Sequence, residues 1–357
     1  MNAAQLRASL AQSLVAGFDR VEDAETLAAG HGLGGVILFA RNIEEPEQVW
    51  RQNRRLRQAA AAAGRPPLMV MVDQEGGSVA RLKAPFRDGP GFQELGAAGN
   101  ADLLRAQGAA LGRQLVAAGF NWDLAPVLDV HAVAGGVQER RSLGADPARV
   151  AELGAAFIAG MQATGCLACA KHFPGLGRTT LDTHRERPQV DLSRAELETV
   201  ELPPFRRAAA EGVAGVMVCH AVFTALDPGR PASLSPAVIQ GLLRGELGYG
   251  GLVLSDDLEM GAVAAELTPA EAAVAAYLAG CDLLLICRRW EYALEALDRL
   301  TELALAGEIP AERIEAGAWR IARAKAGLPP QPELAELQEL LRTVRPSIQG
   351  RRQPSSF

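Results

Sequence analysis

Eight short apolar runs, each followed by a longer stretch with helical periodicity, constrain the fold of this chain more than any other feature. The runs cover residues 14–18, 35–39, 68–73, 121–126, 167–173, 215–221, 251–256 and 282–287. They are almost continuously apolar, as parallel strands buried on both faces are. Eight such units predict one (β/α)8 TIM-type barrel with long loops after its strands. An open doubly wound sheet is the alternative, but no G-x-G-x-x-G opens a helix after an early strand.

The length of 357 residues suits one such barrel with insertions. We expect the barrel in residues 1–330, a short C-terminal helix in 331–345 and a disordered tail in 346–357. Two connections are too long for plain turns, namely 74–100 and 174–192. Long loops at the ends of barrel strands are where function is usually found.

Composition and charge exclude several classes of partner. The formal net charge is −6, whereas proteins that bind nucleic acid or anionic membranes present a basic surface. The chain has no N-terminal stretch that resembles a signal peptide and no apolar run of 18 residues. We therefore expect a cytoplasmic protein with no nucleic-acid partner and no membrane partner, and we expect it to be a monomer.

The five cysteines all lie in apolar runs, which is typical of free thiols in a reducing compartment. Cys166 and Cys169 form a C-x-x-C pattern, but residues three apart in a strand point to opposite faces. We expect neither a redox role nor a metal role for them. The histidines lack H-x-x-x-H spacing, so the sequence predicts no metal site and no cofactor.

Titratable residues lie at or near the ends of five predicted strands: Asp73, Asp123, Lys171–His172, His220 and Asp256. The carboxyl ends of barrel strands face one pocket, so we expect several of these side chains to converge there. For Asp123 and His220 we favour a structural role inside the barrel mouth. Burial of the whole set without a function would be costly, which indicates an active site.

Residues 171–184 read KHFPGLGRTTLDTH and hold one of the three lysines and two of the five histidines in the chain. Asp182 and His184 are two residues apart on the predicted loop. A carboxylate that accepts from an imidazole raises the pKa of the histidine and makes it a usable general acid near neutral pH. A solvated loop histidine beside a turn aspartate is the other interpretation, and the spacing alone does not decide between them.

Several motifs occur in a fixed order between about residues 35 and 290. They are VDQEGGSVARL, LAPVLDV, RSLG, KHFPGLG…DTH, GVMVCHAVFTALDP and LVLSDDLEM. In this order they resemble the β-N-acetylhexosaminidases of glycoside hydrolase family 3, in the single-domain type that recycles cell-wall material. The resemblance implies a retaining enzyme that hydrolyses terminal β-linked N-acetylglucosamine, with peptidoglycan fragments as its source. A β-glucosidase, a glycoside phosphorylase and a non-catalytic sugar-binding barrel remain alternatives.

The resemblance also implies a role for each matching residue. Asp256 is the nucleophile, His184 is the acid/base, and Asp182 supports His184. Asp257 follows the nucleophile and should point to the opposite face of its strand. The positions that bind the N-acetylglucosamine unit are Asp73, Arg81, Arg141, Lys171 and His172.

Three positions depart from the family pattern. Leu176 stands where the family has a histidine, Ser78 stands where an arginine is common, and Leu143 replaces a phenylalanine. Leu176 could change how the loop folds back over the site. A strand-end lysine could alternatively form a Schiff base, as in an aldolase, but the histidine beside Lys171 and the sugar-binding context argue against that chemistry.

Overall fold

The computed structural model describes residues 2–131, 136, 138–179 and 188–343. Eight parallel strands close into a barrel in the order β1-β12-β11-β9-β7-β6-β3-β2. These strands are β1 (Leu14–Ala16), β2 (Gly35–Leu38), β3 (Met69–Val72), β6 (Trp122–Asp123), β7 (Leu167–Phe173), β9 (Gly215–Val218), β11 (Leu252–Asp257) and β12 (Leu283–Ile286). The eight predicted strands and the predicted (β/α)8 barrel are thus confirmed.

Four shorter strands in the described part of the chain lie outside the barrel. β4 (Gln74–Gly76) and β5 (Val79–Ala80) form an antiparallel pair directly after β3. β8 (Gln189–Val190) and β10 (Val222–Phe223) pair in parallel. Both pairs belong to the connections that follow barrel strands, which is the side of the barrel where an active site is expected.

Helices surround the barrel. The α-helices are α1 (Ala3–Ala11), α2 (Val21–Glu25), α3 (Pro46–Ala62), α4 (Phe92–Ala98), α5 (Ala101–Ala117), α6 (Pro147–Gln162), α7 (Arg194–Glu196), α8 (Leu202–Ala210), α9 (Gly261–Ala264), α10 (Pro269–Ala279), α11 (Glu291–Leu305), α12 (Ala311–Ala326) and α13 (Leu334–Thr343). Segments of π-helix cover Thr26–His31, Leu197–Glu201 and Ala237–Glu246, and 3-10 turns cover Ala40–Asn42 and Ala232–Leu234. None of the described helices is long and apolar enough to cross a bilayer.

The side chains of N-cap residues explain where several helices begin. The Asn100 side chain accepts from the backbone N–H groups of Asp102 and Leu103 at the start of α5. At the start of α10, Thr268 and Glu271 form a reciprocal capping box, and Pro269 directly follows Thr268. These bonds satisfy N–H groups that have no partner within the helix, so each fixes a helix start.

The barrel interior is a packed apolar core. Its buried cluster includes Met69, Trp122, Leu254 and Leu285 from the strands and Ile321 from α12. A larger cluster fills the space between the strands and the surrounding helices. Because the interior is filled, a ligand can reach the barrel only at its two ends.

Helix α13 follows the last helix of the barrel and packs against α3 and α5. The Trp50 indole N–H donates to the Pro332 carbonyl at 3.0 Å, and Leu337 is fully buried. The predicted tail, 346–357, lies outside the described residues, so its disorder stays a prediction.

Candidate active site

A cavity of about 190 Å3 lies at the carboxyl ends of the barrel strands. Six of the residues singled out from the sequence line it: Asp73, Arg81, Arg141, Lys171, His172 and Asp256. They come from four different connections or strand ends, and the barrel brings them together as expected. Asp182 and His184 lie outside the described residues.

Lys171 lies at the centre of a charged network in this cavity. Its Nζ lies 2.7 Å from Asp73 Oδ1 and 2.8 Å from Glu75 Oε1, and the residue is 1% exposed. Burial disfavours the ammonium, but the two carboxylates outweigh this and raise the pKa of Lys171. Lys171 is therefore a fixed cation that can donate to a ligand, and it is not the neutral amine that Schiff-base formation needs.

Glu75 joins Lys171 to Arg141. The Arg141 guanidinium donates to both Glu75 oxygens, at 2.6 and 2.9 Å. Burial opposes ionisation of Glu75, but the charges of Lys171 and Arg141 prevail and hold its pKa below the ordinary range. This bidentate pair fixes the direction of the Arg141 side chain beside the cavity.

The motif VDQEGGSVARL contains Glu75, but sequence reasoning did not place it among the residues that bind the sugar. The glycines of this motif allow a close approach of the backbone. Gly76 has a φ of +90°, and a Cβ there would lie 2.7 Å from the Pro90 carbonyl oxygen. A carboxylate two residues after a strand-end aspartate was the only sequence signal for Glu75.

Arg81 reaches the cavity from the β4–β5 pair. Its backbone N–H donates to Gln74 Oε1 at 2.8 Å, and the same oxygen accepts from the N–H of Leu82 at 2.9 Å. The Arg81 guanidinium carbon lies 5.8 Å from the centroid of the Phe39 ring. Gln74 therefore holds the turn that presents Arg81, while Phe39 provides an apolar wall.

His172 is held by an aspartate that sequence reasoning did not single out. His172 Nδ1 lies 2.7 Å from Asp129 Oδ2, and Asp129 is fully buried. The other Asp129 oxygen accepts from the backbone N–H groups of His172 and Leu176, at 3.2 and 2.8 Å. A carboxylate on Nδ1 orients the ring and leaves Nε2 for a ligand. The motif LAPVLDV contains Asp129, but only the fold shows its partner.

Asp256 is the penultimate residue of β11 and lies in the cavity beside two histidines and Lys171. Burial opposes its ionisation, but His172, His220, the N–H of Asp257 at 2.8 Å and Lys171 together hold the pKa of Asp256 below its ordinary value. Asp256 is thus an anion at neutral pH, as a carboxylate nucleophile must be.

The neighbouring carboxyl, Asp257, has a different environment. Its Oδ1 accepts from the N–H groups of Glu259 and Cys287, at 3.1 and 3.2 Å, yet burial raises its pKa to about 6. The prediction that Asp257 faces away from the site is wrong, since both aspartates line the cavity. The pairing of β11 with β12 shifts register between Leu254 and Asp257, which breaks the simple alternation of faces.

Asp123 and His220 have the structural roles that the sequence favours. Asp123 is fully buried and accepts from the N–H of Gln74 at 2.9 Å, and burial raises its pKa. His220 contacts Ser233 Oγ at 2.7 Å through Nδ1 and the Asp257 carbonyl oxygen at 2.9 Å through Nε2. His220 therefore fixes the end of β11 on which Asp256 lies.

The three positions that depart from the family pattern have different environments. Leu176 is 2% exposed and lines the cavity, so it contributes an apolar surface to the site. Leu143 is buried in the larger apolar core, whereas Ser78 is exposed. Of the three departures, Leu176 is the one placed to affect a ligand directly.

The cysteines are free and buried, as predicted. Burial raises the pKa of both Cys166 and Cys169, which disfavours the reactive thiolate form. Across 2–131, 136, 138–179 and 188–343, no group of three His, Cys, Asp or Glu side chains is arranged to hold a metal ion.

The fold and the site together define a class of protein. A (β/α)8 barrel that presents an anionic aspartate beside fixed hydrogen-bond donors, in a cavity at the carboxyl ends of its strands, has the form of an enzyme active site and suits a glycoside hydrolase. Comparison with known proteins identifies the family. Residues 5–324 match the glycosyl hydrolase family 3 N-terminal domain.

Similar proteins support the same assignment. A β-hexosaminidase of Alkalilimnicola ehrlichii is 41% identical over 273 residues, which cover 74% of this chain and 77% of that protein. A β-N-acetylglucosaminidase of family 3 from Paenibacillus sp. superposes with a TM-score of 0.89 at 39% identity, covering 94% of this chain and 67% of that one. A β-N-acetylhexosaminidase from Beutenbergia cavernae gives 0.84 at 32% identity, covering 90% and 98%. The chain belongs to glycosyl hydrolase family 3 and to the β-hexosaminidases within it.

Proposed function

We propose that this protein is a retaining β-N-acetylglucosaminidase that removes terminal β-linked N-acetylglucosamine through a covalent bond to Asp256. The observation that carries the proposal is the position of Asp256, an anionic carboxylate in the same cavity as Lys171, Arg141 and His172. A buried anion among fixed donors can approach C1 of a sugar whose hydroxyl groups those donors hold.

In the first step a carboxylate oxygen of Asp256 attacks C1 of the sugar. The bond between C1 and the glycosidic oxygen breaks, and the leaving oxygen takes a proton from His184. In the second step His184 removes a proton from water, and the resulting oxygen nucleophile displaces Asp256 from C1. The roles of His184 and its supporting Asp182 rest on the resemblance of the D-T-H motif to the family pattern.

Two carboxylates, Glu75 and Asp129, orient the side chains that are proposed to donate hydrogen bonds to the sugar. Lys171 and Arg141 are both held by Glu75, so their remaining N–H groups are directed without further ordering of the side chains. Asp129 orients His172 in the same way. Hydrogen bonds from such fixed donors to sugar hydroxyls bring C1 to Asp256 at little entropic cost.

The proposed substrates are fragments of peptidoglycan, and the proposed compartment is the cytoplasm. Five free cysteines agree with a reducing compartment. The order of the sequence motifs resembles the single-domain type that acts in cell-wall recycling, and this resemblance is the basis for the choice of substrate. The acceptor is water, and the two successive displacements at C1 leave the sugar with its original anomeric configuration.

Parallel assays on an aryl β-N-acetylglucosaminide and an aryl β-glucoside, each with and without inorganic phosphate, test this function. We expect fast hydrolysis of the N-acetylglucosaminide and no acceleration by phosphate. Preference for the glucoside would assign a β-glucosidase instead. Release of a sugar 1-phosphate that depends on phosphate would assign a phosphorylase.

A further inference from the structure

A second cavity, of about 430 Å3, lies at the end of the barrel opposite the candidate active site. Gln12, Gly32 and Pro67 line it, and they lie two or three residues before the starts of β1, β2 and β3. Helix α12 closes its other side. The cavity is therefore at the amino-terminal end of the strands, separated from the sugar site by the packed interior of the barrel.

The wall of this second cavity is mainly apolar. Eight of its twelve lining residues are alanine, glycine, proline or isoleucine, and the remaining four are Ser9, Gln12, Arg65 and Lys325. No acidic residue is among these twelve, all of which are described by the structure. A concave apolar surface with a few polar groups at fixed positions is the usual form of a small-molecule site.

Lys325 is one of only three lysines in the chain, and it is 3% exposed. Its Nζ donates to Gln12 Oε1 at 2.6 Å. The Gln12 amide nitrogen donates to the Gly32 carbonyl at 2.7 Å, which turns the amide oxygen towards Lys325. The lysine is thus held in place by a neutral acceptor.

Buried cations usually have a carboxylate partner. On the same helix, Arg313 and Arg320 both pair with the buried carboxylate of Asp282. By contrast, no carboxylate among the described residues lies within ion-pair distance of Lys325. The site therefore contains a buried amine whose positive charge the described protein does not neutralise.

Arg65 adds a second cation to the same wall. Its Nε and Nη2 donate to the carbonyl oxygens of Ala29 and Gly30, at 2.9 and 2.8 Å, and no described carboxylate pairs with it. The guanidinium is held beside Gly32, where a Cβ would lie 3.2 Å from it. Two fixed cations on an apolar wall favour a ligand that combines one negative charge with an apolar body.

We propose that this amino-terminal cavity binds a small aliphatic carboxylate, with its head group on Lys325 and its chain against Pro66, Ala318 and Ile321. The carboxylate of the ligand supplies the negatively charged partner that Lys325 lacks. The aliphatic chain of the ligand covers the apolar wall and excludes water from it. This site is separate from the sugar site, and the proposal does not depend on the proposed function.

Titration calorimetry on the full-length protein with hexanoate, octanoate and decanoate tests the proposal, with octan-1-ol and octylamine as neutral and cationic controls. Each added methylene should lower Kd about fourfold until the cavity is full. The alcohol and the amine should bind at least tenfold more weakly than octanoate. Equal binding of octan-1-ol, or no saturable binding of any carboxylate, would overturn the proposal.

Three variants locate the site. Lys325→Met should weaken octanoate binding at least tenfold, whereas the same change at the exposed Lys83 should leave it unchanged. Ala318→Leu, which fills the cavity but keeps both cations, should also abolish binding. Turnover of an aryl N-acetylglucosaminide confirms that each variant is folded. Octanoate binding that survives both Lys325→Met and Ala318→Leu would contradict the proposed site.

The pH dependence gives an independent readout. Burial lowers the pKa of Lys325 to about 7, so the free protein loses this cation as the pH rises. Arg65 is the other ionisable group that lines the cavity. Octanoate affinity should therefore fall by up to about tenfold per pH unit above pH 7. An affinity that stays flat between pH 6 and 9 would exclude Lys325 as the partner of the carboxylate.

Discussion

The most informative residues are carboxyl groups whose surroundings set their charge. Asp256 and Asp257 are adjacent in sequence and both line the cavity, but the pKa of Asp256 is lowered and that of Asp257 is raised to about 6. Positive groups surround Asp256, whereas burial dominates at Asp257. This difference favours Asp256 over Asp257 as the proposed nucleophile.

Glu75 is the residue whose loss should affect both stability and activity. In Glu75→Gln the buried cations Lys171 and Arg141 lose their shared carboxylate, and breaking a buried pair costs about 3–5 kcal/mol. We expect a free energy of unfolding that is lower by about this amount and a kcat/KM that is at least about tenfold lower, because both donors lose their orientation. Urea denaturation and steady-state kinetics measure the two effects.

The pH dependence of the same variant gives a further check. The folded pKa of Glu75 is lowered, so its contribution to stability is present above the unfolded pKa of about 4.3 and is lost as the pH falls below that value. Glu75→Gln should therefore lose less stability than the wild type between about pH 5 and pH 3. Glu47→Gln removes an exposed ion pair with Arg51 but keeps an amide oxygen that can accept from Gln338, so it should change the free energy of unfolding by less than about 0.5 kcal/mol. Equal losses in the free energy of unfolding for Glu75→Gln and Glu47→Gln would contradict the stabilising role of the Lys171–Glu75–Arg141 network.

At the scale of elements, the barrel strands could be predicted from the sequence. The contacts that orient the side chains of the site could not. Continuous apolar runs mark all eight barrel strands because both faces of a barrel strand are buried. The pairs Glu75–Arg141 and Asp129–His172 join residues that are 66 and 43 positions apart. No periodicity links such residues, so only the folded barrel reveals them.

Two further differences from the sequence-based account are local. Alternation predicts opposite faces for Asp256 and Asp257, but it assumes an unbroken ladder, and the ladder of β11 and β12 shifts register before Asp257. Among the stretches with helical periodicity that follow the strands, residues 193–212 contain a π-helical segment, Leu197–Glu201, one residue before Pro203 and Pro204. Proline has no N–H for the regular bond, and the change of helix type precedes the two prolines.

The roles of Asp182 and His184, on the loop after β7, stay predictions because both residues lie outside the described part of the chain. If His184 is the proton donor, His184→Ala should lower turnover most for substrates with poor leaving groups and least for dinitrophenyl glycosides. Azide should then accelerate turnover, since a small anion needs no general base. Asp182→Asn should produce a milder form of the same change.

The measurement for His184 is turnover against the pKa of the leaving group, for wild type and His184→Ala. We expect a steeper dependence in the variant. Parallel lines of equal slope would show that His184 is not the proton donor. The search would then turn to Glu186 or another carboxylate of that loop, because the lowered pKa of Glu75 leaves it without a proton to donate.

At the scale of the whole molecule, the two ends of the barrel have opposite character. The carboxyl-terminal cavity holds Asp73, Glu75, Asp256 and Asp257 among cations, whereas the amino-terminal cavity combines Lys325 and Arg65 with apolar walls. A polar, hydrogen-bonding ligand suits the first cavity, and an apolar anion suits the second. One packed interior separates them, so a change at either end should leave the other intact.

Metal independence is a further expectation for the whole enzyme. Asp73 and Glu75 are already paired with Lys171, and that ammonium would repel a divalent cation. The kcat/KM on an aryl N-acetylglucosaminide should be unchanged after exhaustive treatment with EDTA. Loss of activity that zinc or magnesium restores would contradict this mechanism.

Trapping the covalent intermediate tests the central claim most directly. A 5-fluoro derivative of an N-acetylglucosaminyl donor slows the second step, and mass spectrometry of the digested protein then locates the attached sugar. We predict that the label is on Asp256, that Asp256→Ala takes up none, and that Asp257→Asn is still labelled. A label on Asp257, or turnover by wild type without any covalent adduct, would contradict the account.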